Sequence, residues 1–334
     1  MRPATREDVA RRAGVSTATV SYVVNDGPRP VASSTRATVL RVIRELGYRP
    51  NQLARRLARR RTQVMAYVTP DISNPLLAEL ARQVEDTAFQ AGYMLVVCNS
   101  NRSADRERAQ IALLDEKRID GMLLVTTGLD ADDLRQILDD GIPVVLLERE
   151  IPGVAVDMVL VDSRDMGRQA TDHLLSHGHT AIACIAGPAA AQRVEGYRES
   201  LALGRSGVRP ELIRQTEPSS AGGYEAARAL LTSAERPTAI FASNDSIATG
   251  VLHAARDLGL RVPGDVAVVG ADGTYLAGIA VPPLTTVTLP VAEIGRLATT
   301  MLLDRIGGIA PPAPRQVTLK ARLTIRVSCG CPPG

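Results

Sequence analysis

The sequence predicts an α/β protein: an N-terminal three-helix head carrying a helix-turn-helix, followed by a two-lobed α/β body. Three observations carry this reading. Charge is split unevenly along the chain, helical periodicity organises the basic N-terminal part, and from residue 64 onward short apolar runs alternate with amphipathic stretches. At 334 residues the chain is too long for one ordinary core and suits two or three domains.

The charge comes first. Residues 1–62 hold 14 Arg, no Lys and four acids (Glu7, Asp8, Asp26, Glu45), a net +10; the whole chain is only +3, so the rest carries −7. A basic head on an acidic body is the electrostatic footprint of a nucleic-acid module joined to something else. A solvated basic arm would lack the apolar periodicity found here. Thr5 is placed to cap a first helix, with Asp8 reaching back. Val9, Ala10 and Ala13 mark its inner face and Gly14 ends it. Ser16 caps a second helix whose inner stripe is Val20, Val23 and Val24. Thr17, Ala18, Ser21, Tyr22 and Asn25 then fall on its outer face. A third helix is expected from Ser34 as cap, with the stripe Val39, Leu40, Ile43 and Leu46 and a stop at Gly47. Two short helices across a Gly turn, braced by a third, make a helix-turn-helix, whose second helix lies in the major groove. Small hydroxyl and methyl side chains on that helix can read base edges while the surrounding Arg residues hold phosphates.

In the body, VMAYVTP, YMLVVC, DGMLLVT and PVVLLE, then VDMVLVD, TAIACIA, TAIFAS and VAVVGA, read as strands separated by helices. That alternation indicates βαβ units on parallel sheets. Ligands of such sheets bind at the C-terminal strand ends. Here those ends are Thr69–Asn74, Thr126–Gly128, Glu148 with Arg149, Arg193, Ser243–Asp245 and Asp272.

TREDVARRAGVSTATVSYVVN and ELGYRPNQLARRLA resemble the LacI/GalR family of bacterial transcription regulators. The likeness continues through DISNPLLAELARQVEDTAFQAGY, RVEGY, FASNDSIATG and LGLRVPGDVAVVGADG to PPLTTVTLPVAEIG, so it spans essentially the whole chain. It implies a helix-turn-helix domain over 1–49, a hinge over 50–62 and a periplasmic-binding-protein-like effector domain. The lobes would be 63–160 with 290–318, and 163–284 with 319–328. Thr5 is counted among the DNA-contacting positions. Residues 50–58 would form a hinge helix on DNA, with Asn51, Ala54 and Leu57 matching its N-x-x-A-x-x-L pattern and Leu57 as a minor-groove wedge. From composition alone the same stretch reads as a basic linker.

The resemblance further places Arg193, Asn244 and Asp272 against a small-molecule effector. Each has a plainer reading: Asn244 as a helix cap, Arg193 with Asp272 as a loop ion pair. Departures from the family fall at functional positions. Tyr22 stands where an Arg is common, and Leu76 and Leu77 replace a frequent Phe pair. Pro218 and Ala271 also stand at aromatic positions, and the 187–193 loop is short. With no Trp and two Phe, few rings are available to stack a sugar or purine, unless Tyr67 or Tyr275 substitutes. The expected effector is a sugar or another small polar metabolite, smaller or more aliphatic than a hexose where those rings are missing.

Other signals are set aside. No apolar run reaches the roughly 18 residues of a membrane span, and the charged N-terminus has no signal-like apolar segment, so a cytoplasmic address is expected. No phosphate-loop, dinucleotide or nucleophile-elbow motif points to an enzyme, and no cofactor is implied. His173, His177 and His179 end an amphipathic helix with no Cys, Asp or Glu nearby in sequence to complete a metal site. Cys329 and Cys331 read as a spare pair on a frayed terminus rather than a metal or redox pair. No leucine heptad follows residue 328, so no coiled-coil tetramer is expected. The reading is a homodimeric repressor on double-stranded DNA under allosteric control, with a small-molecule binding protein lacking DNA recognition as the alternative.

Overall fold

Sequence periodicity becomes three helices among the described residues of the first of two compact units, Met1–Thr62 and Gln63–Gly334. The computed structural model describes residues 4–25, 30–48, 61–204 and 207–331. The hinge proposed over 50–58, with Asn51, Ala54 and Leu57, lies outside the described residues, as does the side chain of Asn25.

Helix α1 (Arg6–Ala13) opens on a reciprocal capping box. The Asp8 N–H donates to Thr5 Oγ1 at 3.3 Å, and the Thr5 N–H donates to Asp8 Oδ2 at 2.9 Å. Gly14 closes it at φ +66°, a left-handed turn that glycine adopts without a Cβ penalty. Helix α2 (Thr17–Asn25) follows after two residues, capped by Ser16 Oγ accepting from the Thr19 N–H at 3.0 Å. Helix α3 (Ser33–Leu46) corrects the expected start. Ala32 occupies the cap and no side chain bonds there, so Ser34 is inside the first turn. Its stripe also shifts by one helical neighbour: Leu40 is 39% exposed, and Val42 is buried in its place. Val39, Val42, Ile43 and Leu46 keep the i, i+3, i+4, i+7 spacing that one helix face requires. The head core is Val9, Ala10, Val20, Val23, Val39 and Val42. Fully burying a valine contributes about 1.5 kcal/mol or more, so six small side chains hold a modest domain.

The body has two six-stranded sheets. Its strands are β1 (Val64–Thr69), β2 (Met94–Asn99), β3 (Gly121–Leu124), β4 (Val144–Leu147), β5 (Asp157–Val161), β6 (Ile182–Ala186), β7 (Ile213–Gln215), β8 (Ala239–Ala242), β9 (Ala267–Asp272), β10 (Thr285–Thr288), β11 (Gln316–Leu319) and β12 (Arg322–Thr324). The first sheet has the order β11-β5-β4-β3-β1-β2 and is parallel throughout. The second has the order β12-β10-β9-β8-β6-β7, parallel except that β12 runs antiparallel to β10. Strands β3, β4 and β5 are buried at every residue, as both covered faces of a parallel sheet require. Strand β2 is an edge: Met94 and Val97 are exposed, and Cys98 is half-buried.

Each sheet contains the same winding. In β2-β1-β3 and in β7-β6-β8 the second strand of a series lies on one side of the first and the third on the other, creating a switch point at β1/β3 and at β6/β8. Crevices form outside the strand ends at such points. The covering helices are α4 (Pro75–Gln90), α5 (Ala104–Glu116), α6 (Ala131–Asp139), α7 (Ser163–Ser176), α8 (Ala191–Leu203), α9 (Ser220–Leu231), α10 (Asp245–Asp257), α11 (Tyr275–Ile279) and α12 (Val291–Gly307). The chain passes between the sheets three times, after β5, after β10 and after β11, each time through one or two residues.

One buried charge ties the first sheet together. The Asp157 side chain is fully buried at the start of β5. Its carboxylate accepts from Arg305 Nη2 on α12 at 2.7 Å, from Arg315 Nη2 at 2.7 Å and from the Arg315 N–H at 2.8 Å. Burial opposes the charge, but those bonds hold the carboxyl below its usual range.

Candidate DNA-reading helix and effector cleft

The start of α2 presents Ser16, Thr17 and Ala18 to solvent, with Ser21 and Tyr22 half-buried one turn on. Val20 and Val23 anchor the opposite face, so the polar face is fixed outward by packing rather than by its own polarity. Thr5 is half-buried and engaged in its cap, while Arg11 and Arg12 in the last turn of α1 are exposed.

In the body, the strand ends bring Glu148 and Asp272 to the Arg193 guanidinium, with Asp245 acting on Asp272. Arg193, in the first turn of α8, donates through Nη1 to the Ser243 carbonyl and to Asp272 Oδ1 at 3.0 Å. Both side chains are largely enclosed, 15% and 4% exposed. Asp272 ends β9 at φ +102°, a backbone region that costs a non-glycine residue about 1–3 kcal/mol. Burial, with the added repulsion of Asp245 and Glu148, pushes its carboxyl up to about 7 against the pull of Arg193. Glu148, after β4 at φ +69°, is also pushed up by burial and pulled back by Arg193. First-sheet Glu148 and second-sheet Arg193 and Asp272 thus share one electrostatic environment.

The remaining candidates divide. Asn244 caps α10, its Oδ1 accepting from the Ile247 N–H at 2.7 Å, which leaves its amide NH2 as the group able to donate to a ligand. Leu76 and Leu77, in the first turn of α4, are buried in the same cluster as Tyr67. Tyr67 is fully buried and its hydroxyl donates to the Leu77 carbonyl at 3.4 Å, so its ring offers no open face. Tyr275 is 68% exposed at the start of α11. In the R-x-x-G-Y stretch, Gly196 explains itself by close approach: a Cβ there would lie 1.9 Å from the Arg164 carbonyl oxygen on α7. A Cβ at the matching Gly167 would lie 2.0 Å from the Arg193 carbonyl oxygen, so the close α7–α8 contact sets where Arg193 stands. Tyr197 completes the stretch by donating to the Ile182 carbonyl at 2.8 Å.

Asp245 and Asp71 lie within the strand ends named from the sequence, but their partners were not read there. Asp245 is buried and accepts from Thr286 Oγ1 at 2.6 Å and from the Thr274 N–H and hydroxyl at 2.6 and 2.9 Å. Arg102 pairs with Asp71 at 2.6 Å and reaches Glu217 beyond β7 at 3.6 Å, linking loops of the two sheets. Neither partner is predictable from spacing, since both pairings are tertiary. The terminal Cys pair also differs from expectation. Cys329 is buried, and its sulfur, that of Cys331 and a His173 ring nitrogen lie within 4.8 Å of one another. Two of the three histidines set aside for want of a nearby ligand, His173 and His177, therefore have cysteine sulfur beside them. Among the described residues no helix is long and apolar enough to cross a membrane.

Comparison with known proteins accounts for both units. Residues 5–51 match the model for bacterial regulatory proteins of the lacI family, and residues 171–329 match the periplasmic binding protein-like domain. The HTH-type transcriptional regulator DegA of Bacillus subtilis (strain 168) is 38% identical over 296 residues, covering 86% of this chain and 87% of that protein. The ribose operon repressor of Escherichia coli (strain K12) is 39% identical over 311 residues, covering 91% and 93%. The lac repressor dimer bound to operator and the anti-inducer ONPF superposes with a TM-score of 0.88 at 27% identity, covering 98% of this chain and 99% of that one. These relatives regulate transcription and are not enzymes. From a basic helix-turn-helix unit joined to a doubly wound ligand-binding body, and from relatives alike over nearly their whole length, it follows that the chain belongs to the LacI family of DNA-binding transcription regulators.

Proposed function

We propose that this protein is a cytoplasmic homodimeric repressor that binds a pseudo-palindromic double-stranded DNA operator under the control of a small polar metabolite. The observation that carries the reading is the pairing of an outward hydroxyl-rich α2 on a +10 head with an under-neutralised acid cluster at the crevice of the body. Thr17, Ala18, Ser21, Tyr22 and Asn25 read bases, Ser16 and Thr5 hold the ends of their helices close to phosphates, and Arg side chains supply the salt-dependent attraction. Arg193, Asp272, Glu148 and Asn244 bond the effector, with Leu76 and Leu77 as its apolar wall. Asn51, Ala54 and Leu57 form the hinge, where paired Leu57 side chains open the minor groove. The three short crossings between the sheets allow the lobes to change their angle, which couples effector to hinge by about 1–3 kcal/mol. No cofactor and no membrane enter this scheme.

The test is selection of genomic DNA fragments by the purified protein at physiological salt, with the enriched site then bound by Leu57→Ala. Enrichment of an inverted repeat with half-sites about one helical turn apart, and reduced bending by the variant, is the expected result. Salt-sensitive binding without any enriched site overturns operator reading, and unchanged bending removes the wedge.

A further inference from the structure

We propose that His173, His177, Cys329 and Cys331 form a binding site for a borderline-soft divalent cation of the zinc class, distinct from the effector cleft. The histidines stand one turn apart at the end of α7, on one face by the i, i+4 rule. Their rings meet edge-on with centroids 4.7 Å apart. The cysteines are brought to them from 152 or more residues away by the chain's last crossing between the sheets, after which β12 joins the second sheet.

The distances fit a tetrahedral shell. With metal–sulfur bonds near 2.3 Å and metal–nitrogen bonds near 2.0 Å, neighbouring ligand atoms lie about 3.3–3.8 Å apart. Cys331 Sγ is 3.2 Å from His177 Nε2 and 3.9 Å from His173 Nε2. The donor atoms of His173, Cys329 and Cys331 all fall within 4.8 Å of one another. His177 is exposed on the solvent side and closes the fourth corner by a small ring movement.

The surroundings hold the cysteines in place. Ser328 donates to the Val268 carbonyl at 2.6 Å, and its carbonyl accepts from the Val268 N–H at 2.8 Å. Its hydroxyl oxygen also accepts from the Thr285 N–H at 2.8 Å. Gly330, at φ +97°, turns the chain between the two sulfurs. The Thr285 hydroxyl donates to Cys329 Sγ at 3.0 Å, a bond that supports a thiolate. His179 is engaged elsewhere, 3.0 Å from Thr238 Oγ1, so it is not a ligand. Two thiolates and two neutral imidazoles around a dication leave no net charge, which suits a half-buried position. Two sulfurs with two nitrogens select zinc over magnesium or calcium. Binding releases the two thiol protons to solvent, and the sulfurs are neither oxidised nor reduced.

The experiment uses full-length protein, reduced, stripped with chelator and reloaded with zinc or cobalt(II). Elemental analysis should find about one zinc per chain. Cobalt should give the intense visible bands of a tetrahedral site with a sulfur-to-metal charge-transfer band. Cys331→Ser, at a half-buried position, and His177→Gln, at an exposed one, should each lower zinc affinity at least about tenfold and weaken or shift those bands, with the circular dichroism unchanged. A wild-type protein that retains no zinc and gives a pale octahedral cobalt spectrum overturns the site. So does a pair of folded variants that bind zinc as the wild type does, or a Cys329–Cys331 disulfide that persists under reduction.

Discussion

Asp157 and Asp272 are both buried aspartates on parallel strands, one in each sheet, and their surroundings treat them oppositely. Asp157 meets two guanidiniums and a backbone N–H, and its carboxyl is held low. Asp272 shares a single guanidinium with the Ser243 carbonyl and faces Asp245 and Glu148, and its carboxyl rises to about 7. A buried charge that the protein satisfies completely fastens structure. One left short of partners has bonding capacity for something from outside, and the fold tolerates the deficit because the group can take up a proton.

Four measurements would break or sharpen that contrast. The largest effect is expected at the satisfied centre. Asp157→Ala leaves Arg305 and Arg315 without their shared counter-charge and should cost about 3–5 kcal/mol in urea unfolding, with effector affinity per folded molecule preserved. A loss below about 1 kcal/mol would show that the clamp is ornamental. At the unsatisfied centre the balance should invert. Arg193→Lys cannot reproduce the fork that spans Ser243 and Asp272, and should weaken the effector by about 2 kcal/mol or more, roughly thirtyfold, with a smaller change in stability. Equal effects on binding and stability would erase the distinction.

The third test is pH. The folded Asp272 carboxyl titrates near 7, whereas an unfolded aspartate titrates near 3.9, so the folded chain holds this proton over the interval between. Its contribution to stability is therefore present below about pH 4 and lost as pH rises to about 7, at up to about 1.4 kcal/mol per pH unit. Asp272→Asn should remove that slope from a series of denaturation curves, and should flatten effector binding around neutral pH. Asp157 gives the opposite sign: its depressed carboxyl stabilises the fold above the ordinary carboxylate range and fails in acid. The smallest effect is expected at the solvent-facing link. Arg102→Ala removes the pairs to Asp71 and Glu217, whose partners are partly or largely exposed, and should change stability by less than about 1 kcal/mol. A larger loss would make that bridge a true latch between the lobes.

Local rules made most of the fold legible. The caps at Thr5 and Ser16, the stop at Gly14 and the alternation of apolar runs with helices all depend on neighbours within a few residues, which the sequence states directly. Where a local rule met packing it slipped. Nothing local tells that Val42 faces the head core while Leu40 faces water, because both fit an apolar stripe and only the angle of α3 against its partners chooses. The positions of Arg193, Asn244 and Asp272 were readable as strand ends; that Arg193 bonds the Ser243 carbonyl and Asp272 together, and that Asp272 combines a strained backbone with a shortage of positive charge, was not.

By itself, then, the sequence determined the basic helix-turn-helix head, the two wound sheets and the family, since capping, periodicity and charge act over short distances. Tertiary structure alone decided which acid is paid with two arginines and which with one, and which glycines let α7 and α8 touch. It also decided that Cys329 and Cys331 return to His173 and His177. Those are contacts between segments up to 158 residues apart, and only the folded chain sets their distances.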